Sequence, residues 1–254
     1  MSKVSKLFDI RSKEYNKIYS ESYSKKLLHQ EKRVRAALIE RIVCKYLSKI
    51  EAGVVVDVGC GMGNVLLNLK RTGVKAKLYG LDISKEMIRL ANEKLNAYGY
   101  KNIFFKKGSI DNINLNANVV LSIGVLGYQK EQQEFLDRLS SIVENEGFLI
   151  FTTANGDSFL RSTRRLLSKL NSFITGKIKS KGVEFLSIKD KQVTNVLEKN
   201  GFSLEKKIYI TFGLGLFASS IECFIDKVLF KYFSNSFVGK YISLTVIYVY
   251  KKVS

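Results

Sequence analysis

The amino-acid sequence predicts an α/β fold: a doubly wound, seven-stranded and mostly parallel sheet with helices on both faces and helical cap insertions. Two observations lead to this fold class. Along the 254 residues, short β-branched or alternating apolar runs take turns with longer segments whose apolar side chains recur at helical spacing. The first run, "GVVVDVG" at 53–59, is apolar around one aspartate and bounded by glycines, which is typical of a strand buried on both faces of a parallel sheet.

The first half of the chain divides into alternating elements. Residues 31–50 predict a helix because their apolar side chains recur at close to helical spacing. The strand of "GVVVDVG" follows, and "NVLLNLKRTG" predicts a helix that ends at Gly73. "KAKLYGLDIS" predicts the second strand, after which Ser84 is the expected N-cap of the next helix.

The second half continues the alternation. "KNIFFKKGS" and "NVVLSIGVLGY" predict the third and fourth strands, and a helix from Lys130 to about Val143 separates them from the fifth, "GFLIFTTA". The helical "IKDKQVTNVLEKNGF" leads to "SLEKKIYITFG", and the strictly alternating "YISLTVIYVYKK" predicts the last strand. We therefore expect one domain over residues 1–254, with insertions at 156–183 and 213–238.

Composition excludes several classes of protein. Cys44, Cys60 and Cys223 are far apart and form no C-x-x-C pair, so neither a disulfide framework nor a metal site is expected. The start of the chain has no uninterrupted apolar region, which argues against a secretory signal. No window reaches ~18 uncharged apolar residues, so no spanning helix is expected. These features favour a reducing, cytoplasmic setting.

The formal net charge of +19 is unevenly distributed. Cations exceed acids by 8 in residues 1–50, by 1 in 51–154 and by 10 in 155–254. The glycine-rich middle is therefore balanced, and an anionic partner is expected to meet the flanking segments.

Three glycines follow the first strand at alternate positions: Gly59, Gly61 and Gly63. In open α/β sheets ligands bind beyond the carboxyl ends of the strands, and glycine lets them approach the main chain closely. The dinucleotide fingerprint needs a further glycine where Asn64 stands, and no G-K-S/T follows as in a phosphate-binding Walker loop. Both nucleotide classes are therefore disfavoured.

The pattern D-x-G-x-G-x-G, from Asp57 to Gly63, resembles the glycine loop of class I S-adenosylmethionine-dependent methyltransferases, in particular the small-molecule and lipid-type branch. The resemblance covers roughly residues 30–212 and implies a Rossmann-like methyltransferase fold with S-adenosyl-L-methionine as the cofactor. It places Asp57, Gly59 and Gly61 near the cofactor's ammonium and carboxylate. Asp82 would bind both ribose hydroxyls, because a carboxylate can accept from two donors at once.

The remaining motifs of the family follow in order. Gly108-Ser109-Ile110 stands where the family usually has Gly-Asp-Ala, so the hydrogen bond to the adenine amino group falls to Ser109 or to Asp111 nearby. "LSIG", ending at Gly124, matches the motif that lines the methyl end of the cofactor. The cofactor-binding residues that the resemblance implies are Asp57, Gly59, Cys60, Gly61, Gly63, Asp82, Ile83, Ser109, Ile110, Ser122, Ile123 and Gly124.

The acceptor is expected to be a small molecule. The chain has no proline, so it lacks the Asn/Asp-Pro-Pro-Tyr/Phe motif of enzymes that methylate adenine amines or glutamine amides, and the Pro-Cys nucleophile of cytosine-C5 enzymes. The resemblance therefore favours transfer to an O or C nucleophile of a hydrophobic or lipid-linked molecule. Two alternatives stay open: an RNA methyltransferase that uses the basic flanks, and a catalytically silent cofactor-binding partner protein.

Few side chains are candidates for a direct catalytic role. His29 is the only histidine and is either a general base or an ordinary surface residue. Tyr15 and Tyr19 resemble the aromatic segment of an N-terminal lid, here residues 1–30. Tyr128 follows the fourth motif and is a candidate for contact with the acceptor. Each tyrosine is also compatible with ordinary packing.

Both insertions predict amphipathic helices beside cations. Residues 158–183 hold seven cations and no acid, with a helix expected from Ser158 to Phe173. Together the two insertions are expected to form a cap that lies on an anionic bilayer at the inner face of the membrane, an inward-packed lid, or an RNA-binding surface. The scarcity of aromatic residues among the cations disfavours the RNA-binding surface. In residues 213–233 one helical face would carry Phe217, Ile221, Phe224, Ile225, Val228 and Tyr232, and the other Glu222, Asp226 and Lys227.

Overall fold

A computed structural model of the chain describes residues 2–20, 27–48, 53–163, 166, 183–212 and 219–253. Seven strands form one sheet in the order β3-β2-β1-β4-β5-β7-β6. Strands β1 to β5 are parallel to one another, and β7 lies antiparallel between β5 and β6. This sheet confirms the predicted fold class. The strands are β1 (Val54–Val58), β2 (Lys77–Asp82), β3 (Ile103–Lys107), β4 (Ala117–Ser122), β5 (Val143–Ala154), β6 (Phe202–Ile210) and β7 (Thr245–Lys252).

The helices flank this sheet. Ser84 caps α4 as predicted, because its side chain accepts a hydrogen bond from the Met87 backbone N–H at 3.1 Å. Among the described helices, none combines the length and apolar character that a bilayer crossing requires. The helices are α1 (Lys3–Ser20), α2 (Leu27–Leu47), α3 (Asn64–Arg71), α4 (Lys85–Tyr98), α5 (Gln132–Ser141), α6 (Asp190–Lys199), α7 (Ser219–Phe233) and α8 (Phe237–Ile242).

The core lies on both faces of the central strands. Val56 and Val120 belong to one buried cluster, whereas their neighbours Val55 and Val119 belong to a second cluster. Successive side chains of a strand point to opposite faces, so an unbroken apolar run is stable only where both faces are covered. This double burial explains the composition of "GVVVDVG".

Residues 219–242 between β6 and β7 lie at the side of the sheet where the parallel strands have their carboxyl ends. Since β5 and β6 both run antiparallel to β7, they run parallel to each other and end at the same edge. Asn155 directly follows β5, and its side-chain amide donates to the backbone oxygens of Lys240 at 2.7 Å and Ser243 at 3.1 Å. These bonds fix α8 to the edge where β1, β2 and β4 also end.

The two predicted insertion helices have different outcomes. Only residues 158–163 and 166 of the segment from Ser158 to Phe173 lie within the described residues. In the second insertion α7 and α8 are helical, but Phe224, Val228 and Tyr232 are exposed. These three side chains therefore do not pack inward. Phe217, Ile221 and Glu222 lie outside the described side chains.

Rotation of α7 about its axis explains this outcome. Asp226, expected on the polar outer face, accepts the Phe212 backbone N–H at 2.5 Å and therefore turns toward the fold. Leu229, Phe230 and Phe233 pack against the core instead. The buried face of α7 is therefore rotated about the helix axis relative to the predicted apolar face, which carries Val228 and Tyr232.

Candidate active site

A cavity of about 350 Å³ opens at the carboxyl ends of β1, β2 and β4. This volume falls in the range of small-molecule sites, which are commonly found at this edge of α/β sheets. The glycine loop after β1, the acid at the end of β2, residues 108–111 and residues 123–125 line it, together with side chains of α1 and α2. The predicted motifs therefore converge on one cavity.

The glycines of the loop have different tasks. Gly59 has φ +81°, and a Cβ there would lie 2.2 Å from Cγ2 of Val125, so both conformation and packing require glycine. Gly61 has φ +54°, and a Cβ built on it meets no atom of the described residues within 4 Å. A Cβ on Gly61 would therefore point into the open space of the cavity, which Gly61 lines. Gly63 lies outside the cavity lining, and a Cβ there would lie 2.3 Å from the Phe105 ring, so its task is packing.

Asp57 is a buried carboxylate that faces the cavity. Burial, and secondarily the negative charge of Asp82, raises the pKa of Asp57 to about 7. Its Oδ1 atom has no hydrogen-bond partner among the described residues. Buried polar atoms are almost always satisfied, so this oxygen fits a ligand that brings a donor, such as an ammonium group.

Asp82 connects the second strand to the glycine loop. Its Oδ2 accepts the Gly61 N–H at 2.9 Å, and its Oδ1 accepts the Ser84 N–H at 2.8 Å. Burial raises the pKa of Asp82, while these N–H donors oppose the shift. Each oxygen keeps a further lone pair, so the carboxylate can still accept from two ligand hydroxyls.

The third and fourth motifs lie only partly in the cavity wall. Ser109 lines it, and its hydroxyl donates to Asp111 at 2.9 Å, which leaves the Ser109 oxygen able to accept from a ligand. Ser122 is fully buried outside the lining, and its hydroxyl has no partner among the described residues. The other predicted residues in the lining are Cys60, Ile83, Ile110, Ile123 and Gly124.

The N-terminal helix closes one side of the cavity. The Ser5 hydroxyl donates to the Ile83 backbone oxygen at 3.0 Å, and Asp9 accepts the Ser84 hydroxyl at 2.5 Å. These contacts seat α1 on the turn after β2, directly over the predicted ribose and adenine region. Sequence reasoning missed both, because local spacing does not show which loop a helix meets.

The structure tests the catalytic candidates unequally. Tyr15 and Tyr128 line the cavity. The side chains of Tyr19 and His29 lie outside the described residues, although the backbone of His29 falls in the first turn of α2. The roles of Tyr19 and His29 stay predictions.

Aromatic rings form a wall next to the fourth motif. The Phe8 ring packs edge to face against Tyr15 and Tyr128, with centroid distances of 6.1 and 5.1 Å, and Tyr128 packs against Phe185 at 4.9 Å. We call Phe8, Tyr15, Tyr128 and Phe185 the aromatic wall. Phe8 was missed by sequence reasoning, although it lies seven residues before Tyr15 and therefore on the same helical face.

Tyr128 is protonated at neutral pH. Burial raises the pKa of Tyr128, while the charges of Arg11 and Arg35 oppose the shift. Arg35 itself lines the cavity, and its guanidinium lies 3.7 Å from where a Cβ on Gly124 would be. No motif pointed to Arg35, which stands in a charged stretch of α2 without distinctive spacing.

A family model described as a methyltransferase domain matches residues 50–201, more than half of the chain, and the chain belongs to this family. It is therefore a class I methyltransferase that uses S-adenosyl-L-methionine, as the order of its motifs predicted. The family match and the sheet topology therefore agree with the family, fold and cofactor predicted from the sequence.

Comparisons with individual proteins give distant relatives that match part of the chain. The chain is 31% identical over 113 residues to the mitochondrial ubiquinone biosynthesis O-methyltransferase of Dictyostelium discoideum, covering 40% of this chain and 35% of that protein. It is 24% identical over 148 residues to the malonyl-[acyl-carrier protein] O-methyltransferase of Halalkalibacterium halodurans, covering 55% and 53%. The matches thus span about a third to a half of these curated relatives.

Solved structures share the fold, and one of them does so over nearly the whole chain. It is the crystal structure of magnesium protoporphyrin IX methyltransferase from Synechocystis PCC 6803 with bound SAH. The two structures agree with a TM-score of 0.69 over 98% of each chain, at 18% sequence identity. At this identity the likeness describes the fold alone.

Proposed function

We propose that the enzyme transfers the methyl group to an O or C nucleophile of a hydrophobic or lipid-linked small molecule. The observation that carries this proposal is the aromatic wall, whose Phe8, Tyr15 and Tyr128 line the cavity that also contains Gly124 of the fourth motif. Aromatic side chains recognise apolar and planar groups by burial and ring contacts.

In this proposal the cavity offers a matching group to each part of the cofactor. The unsatisfied Oδ1 of Asp57 would accept from the ammonium, and Asp82 would accept from the ribose hydroxyls. Ile83 and Ile110 supply apolar surface for the adenine. The space beside Gly61 admits the ligand against the main chain.

Arg35 extends the predicted set of cofactor contacts. Val125 packs on Gly59, and Arg35 lies beside the preceding Gly124. The guanidinium is therefore on the side of the cavity where the glycine loop would hold the methionine carboxylate. A guanidinium can bind a carboxylate with two parallel hydrogen bonds.

Alignment supplies most of the catalysis in this proposal. When bound, S-adenosylmethionine provides a methyl group that its sulfonium already activates. Holding the nucleophile in line with that methyl group is worth an effective molarity of about 10⁵ to 10⁸ M. Tyr128 is protonated at neutral pH, and burial raises its pKa further, so it would donate a hydrogen bond to the acceptor rather than remove its proton.

The named relatives support a small-molecule or carrier-linked acceptor. Their printed names refer to ubiquinone biosynthesis, a malonyl group on an acyl-carrier protein and a magnesium porphyrin. All three differ from a nucleic acid. The alternatives of an RNA methyltransferase and of a silent cofactor-binding protein become outcomes of the test.

A labelled-methyl experiment separates these functions. The protein is incubated with methyl-labelled cofactor and a cell extract, and the products are divided into organic, aqueous and nuclease-sensitive fractions. We expect label in the organic fraction together with S-adenosylhomocysteine, and loss of both with Asp82→Ala. Label confined to the nuclease-sensitive fraction would favour RNA. Cofactor binding without S-adenosylhomocysteine in any fraction would favour the silent protein.

A further inference from the structure

Helices α7 and α8 present an exposed apolar face. On α7, Phe224, Val228 and Tyr232 recur every four residues and are 67%, 38% and 66% exposed. On α8, Phe237 and Tyr241 are 76% and 41% exposed, and their rings pack edge to face with centroids 5.2 Å apart. We call these five residues and Val238 the α7–α8 face.

Folding alone does not require these side chains to be apolar. Other residues of the same helices, Leu229, Phe230, Phe233 and Ile242, already pack against the core. A Cβ on Gly239 would lie 2.1 Å from the Phe233 backbone oxygen, so α7 and α8 pack closely together. The two helices are therefore packed on the core and on each other, and no described residue covers their exposed apolar side chains.

Lysines interleave with this face. Lys227 and Lys231 are exposed on α7, and Lys231 Nζ lies 5.5 Å from the centroid of the Tyr232 ring. Lys240 Nζ lies 5.9 Å from the Tyr241 ring and 3.9 Å from Asp190. The only acid between residues 224 and 242 is Asp226, which turns inward to the Phe212 N–H. The face thus combines large apolar side chains with positive charge.

Charge and apolar character together select one occupant. Nucleic acid binds through phosphate contacts and gains little from an aliphatic and aromatic stripe. A second copy placed symmetrically would bring this lysine-rich face against itself. An anionic bilayer satisfies both features, because apolar side chains enter its interface while lysines stay at the level of the headgroups.

We propose that the α7–α8 face docks the enzyme on an anionic lipid surface. The face and the cavity lie at the same edge of the sheet, because α7 follows the carboxyl end of β6 and Asn155 holds α8 at the end of β5. Docking therefore brings the cavity close to the bilayer. That the acceptor is taken from this bilayer rests on the proposed function, whereas docking itself does not.

The absence of tryptophan from the sequence permits a direct test. Phe224→Trp introduces a single tryptophan on the face, which can be excited selectively over the tyrosines. Tyr98→Trp introduces one at an exposed position at the C-terminal end of α4, away from the carboxyl ends of the parallel strands. With phosphatidylcholine vesicles that contain phosphatidylglycerol, we expect the emission of the first variant to shift to shorter wavelength and that of the second to stay unchanged. Equal behaviour of the two variants would overturn the proposal.

A sedimentation assay measures the contribution of the face. F224S/F237S should lower the partition coefficient on the same vesicles at least ~tenfold, because two aromatic anchors are lost. K227E/K231E should lower it on anionic vesicles only, and Tyr98→Ser and Lys101→Glu serve as matched controls. Docking is contradicted if the wild-type protein does not sediment with vesicles. It is also contradicted if F224S/F237S sediments as well as the wild type. Loss of tRNA binding in F224S/F237S without vesicle binding by the wild type would assign the face to RNA.

Two further measurements separate docking from catalysis. Cofactor titration of F224S/F237S should match the wild type, which shows that the variant is folded. Organic-phase methylation by wild-type protein that never binds vesicles would overturn docking alone. Vesicle binding without methylation of any organic-soluble product would overturn the proposed function alone.

Discussion

Asp82 holds the glycine loop in place: its Oδ2 accepts the backbone N–H of Gly61 at 2.9 Å. The loop is also tied to the same strand by the N–H groups of Gly59 and Cys60, which donate to the Leu81 oxygen at 2.7 and 2.9 Å. The parallel register of β1 and β2 creates this arrangement, because it pairs Val58 with Leu81. The residue expected to bind ribose therefore also shapes the loop expected to bind methionine.

Asp82→Ala should weaken S-adenosylmethionine binding by about 2 kcal/mol or more, because hydrogen bonds to a charged acceptor are lost together with the support for Gly61. Isothermal calorimetry measures this as a fall in affinity of roughly thirtyfold. Glu93→Ala, an exposed acid on the next helix, serves as the control. Unchanged affinity in Asp82→Ala would refute the assignment of this acid to the ribose.

Cofactor affinity should depend on the protonation of Asp57. Burial raises the pKa of Asp57 to about 7, and the cofactor's ammonium favours the ionised form. Binding should therefore strengthen as the pH rises through about 7 and should release a proton below that pH. Calorimetry in buffers with different ionisation enthalpies detects the proton. Asp57→Asn should bind weakly and release none, and the same proton release from that variant would assign the effect to another group.

The free enzyme should show the opposite pH dependence in its stability. The folded pKa of Asp57 is raised above that of the unfolded chain, so the folded state holds a proton that the unfolded state loses. Its contribution to the free energy of unfolding is fully present below pH ~4 and is lost as pH rises to about 7. Urea titrations should show this decline in the wild type and a flatter profile in Asp57→Asn. If the free energy of unfolding changed equally with pH in both proteins, folded Asp57 would hold no extra proton over this pH range.

Gly61→Ala should separate cofactor binding from folding. A Cβ there meets nothing within 4 Å among the described atoms, so the cost to stability is the φ of +54°, about 1–2 kcal/mol. Gly99→Ala carries a matched cost, with φ +65° and open space, far from the cavity. Thermal unfolding should fall similarly in both variants, whereas S-adenosylmethionine affinity should fall only in Gly61→Ala. An equal loss of affinity would show that the strain alone is responsible.

The sequence predicted those parts of the site that depend on local pattern. The glycines, Asp57 and Asp82 follow buried strands, and adjacent parallel strands necessarily end together at one edge. The contact of Asp9 with Ser84 joins residues 75 apart in sequence and depends on how α1 packs, which no spacing reports. For the same reason Arg35 was missed.

Tyr128 should act through its ring and as a hydrogen-bond donor, and not through ionisation. Because burial raises its pKa, Tyr128→Phe should keep the pH profile of methyl transfer to the acceptor recovered from the organic extract. Tyr128→Ala removes one ring of the aromatic wall, together with its contacts to Phe8 and Phe185. Because a ring contact with a planar acceptor is worth about 0.5–1.5 kcal/mol, the KM of that acceptor should rise up to roughly tenfold while cofactor affinity changes little. Kinetics with labelled cofactor across a pH series measure both effects. If Tyr128→Phe instead abolished a rise in rate toward high pH, the tyrosine would be the general base, and the aromatic wall would have a chemical as well as a binding role.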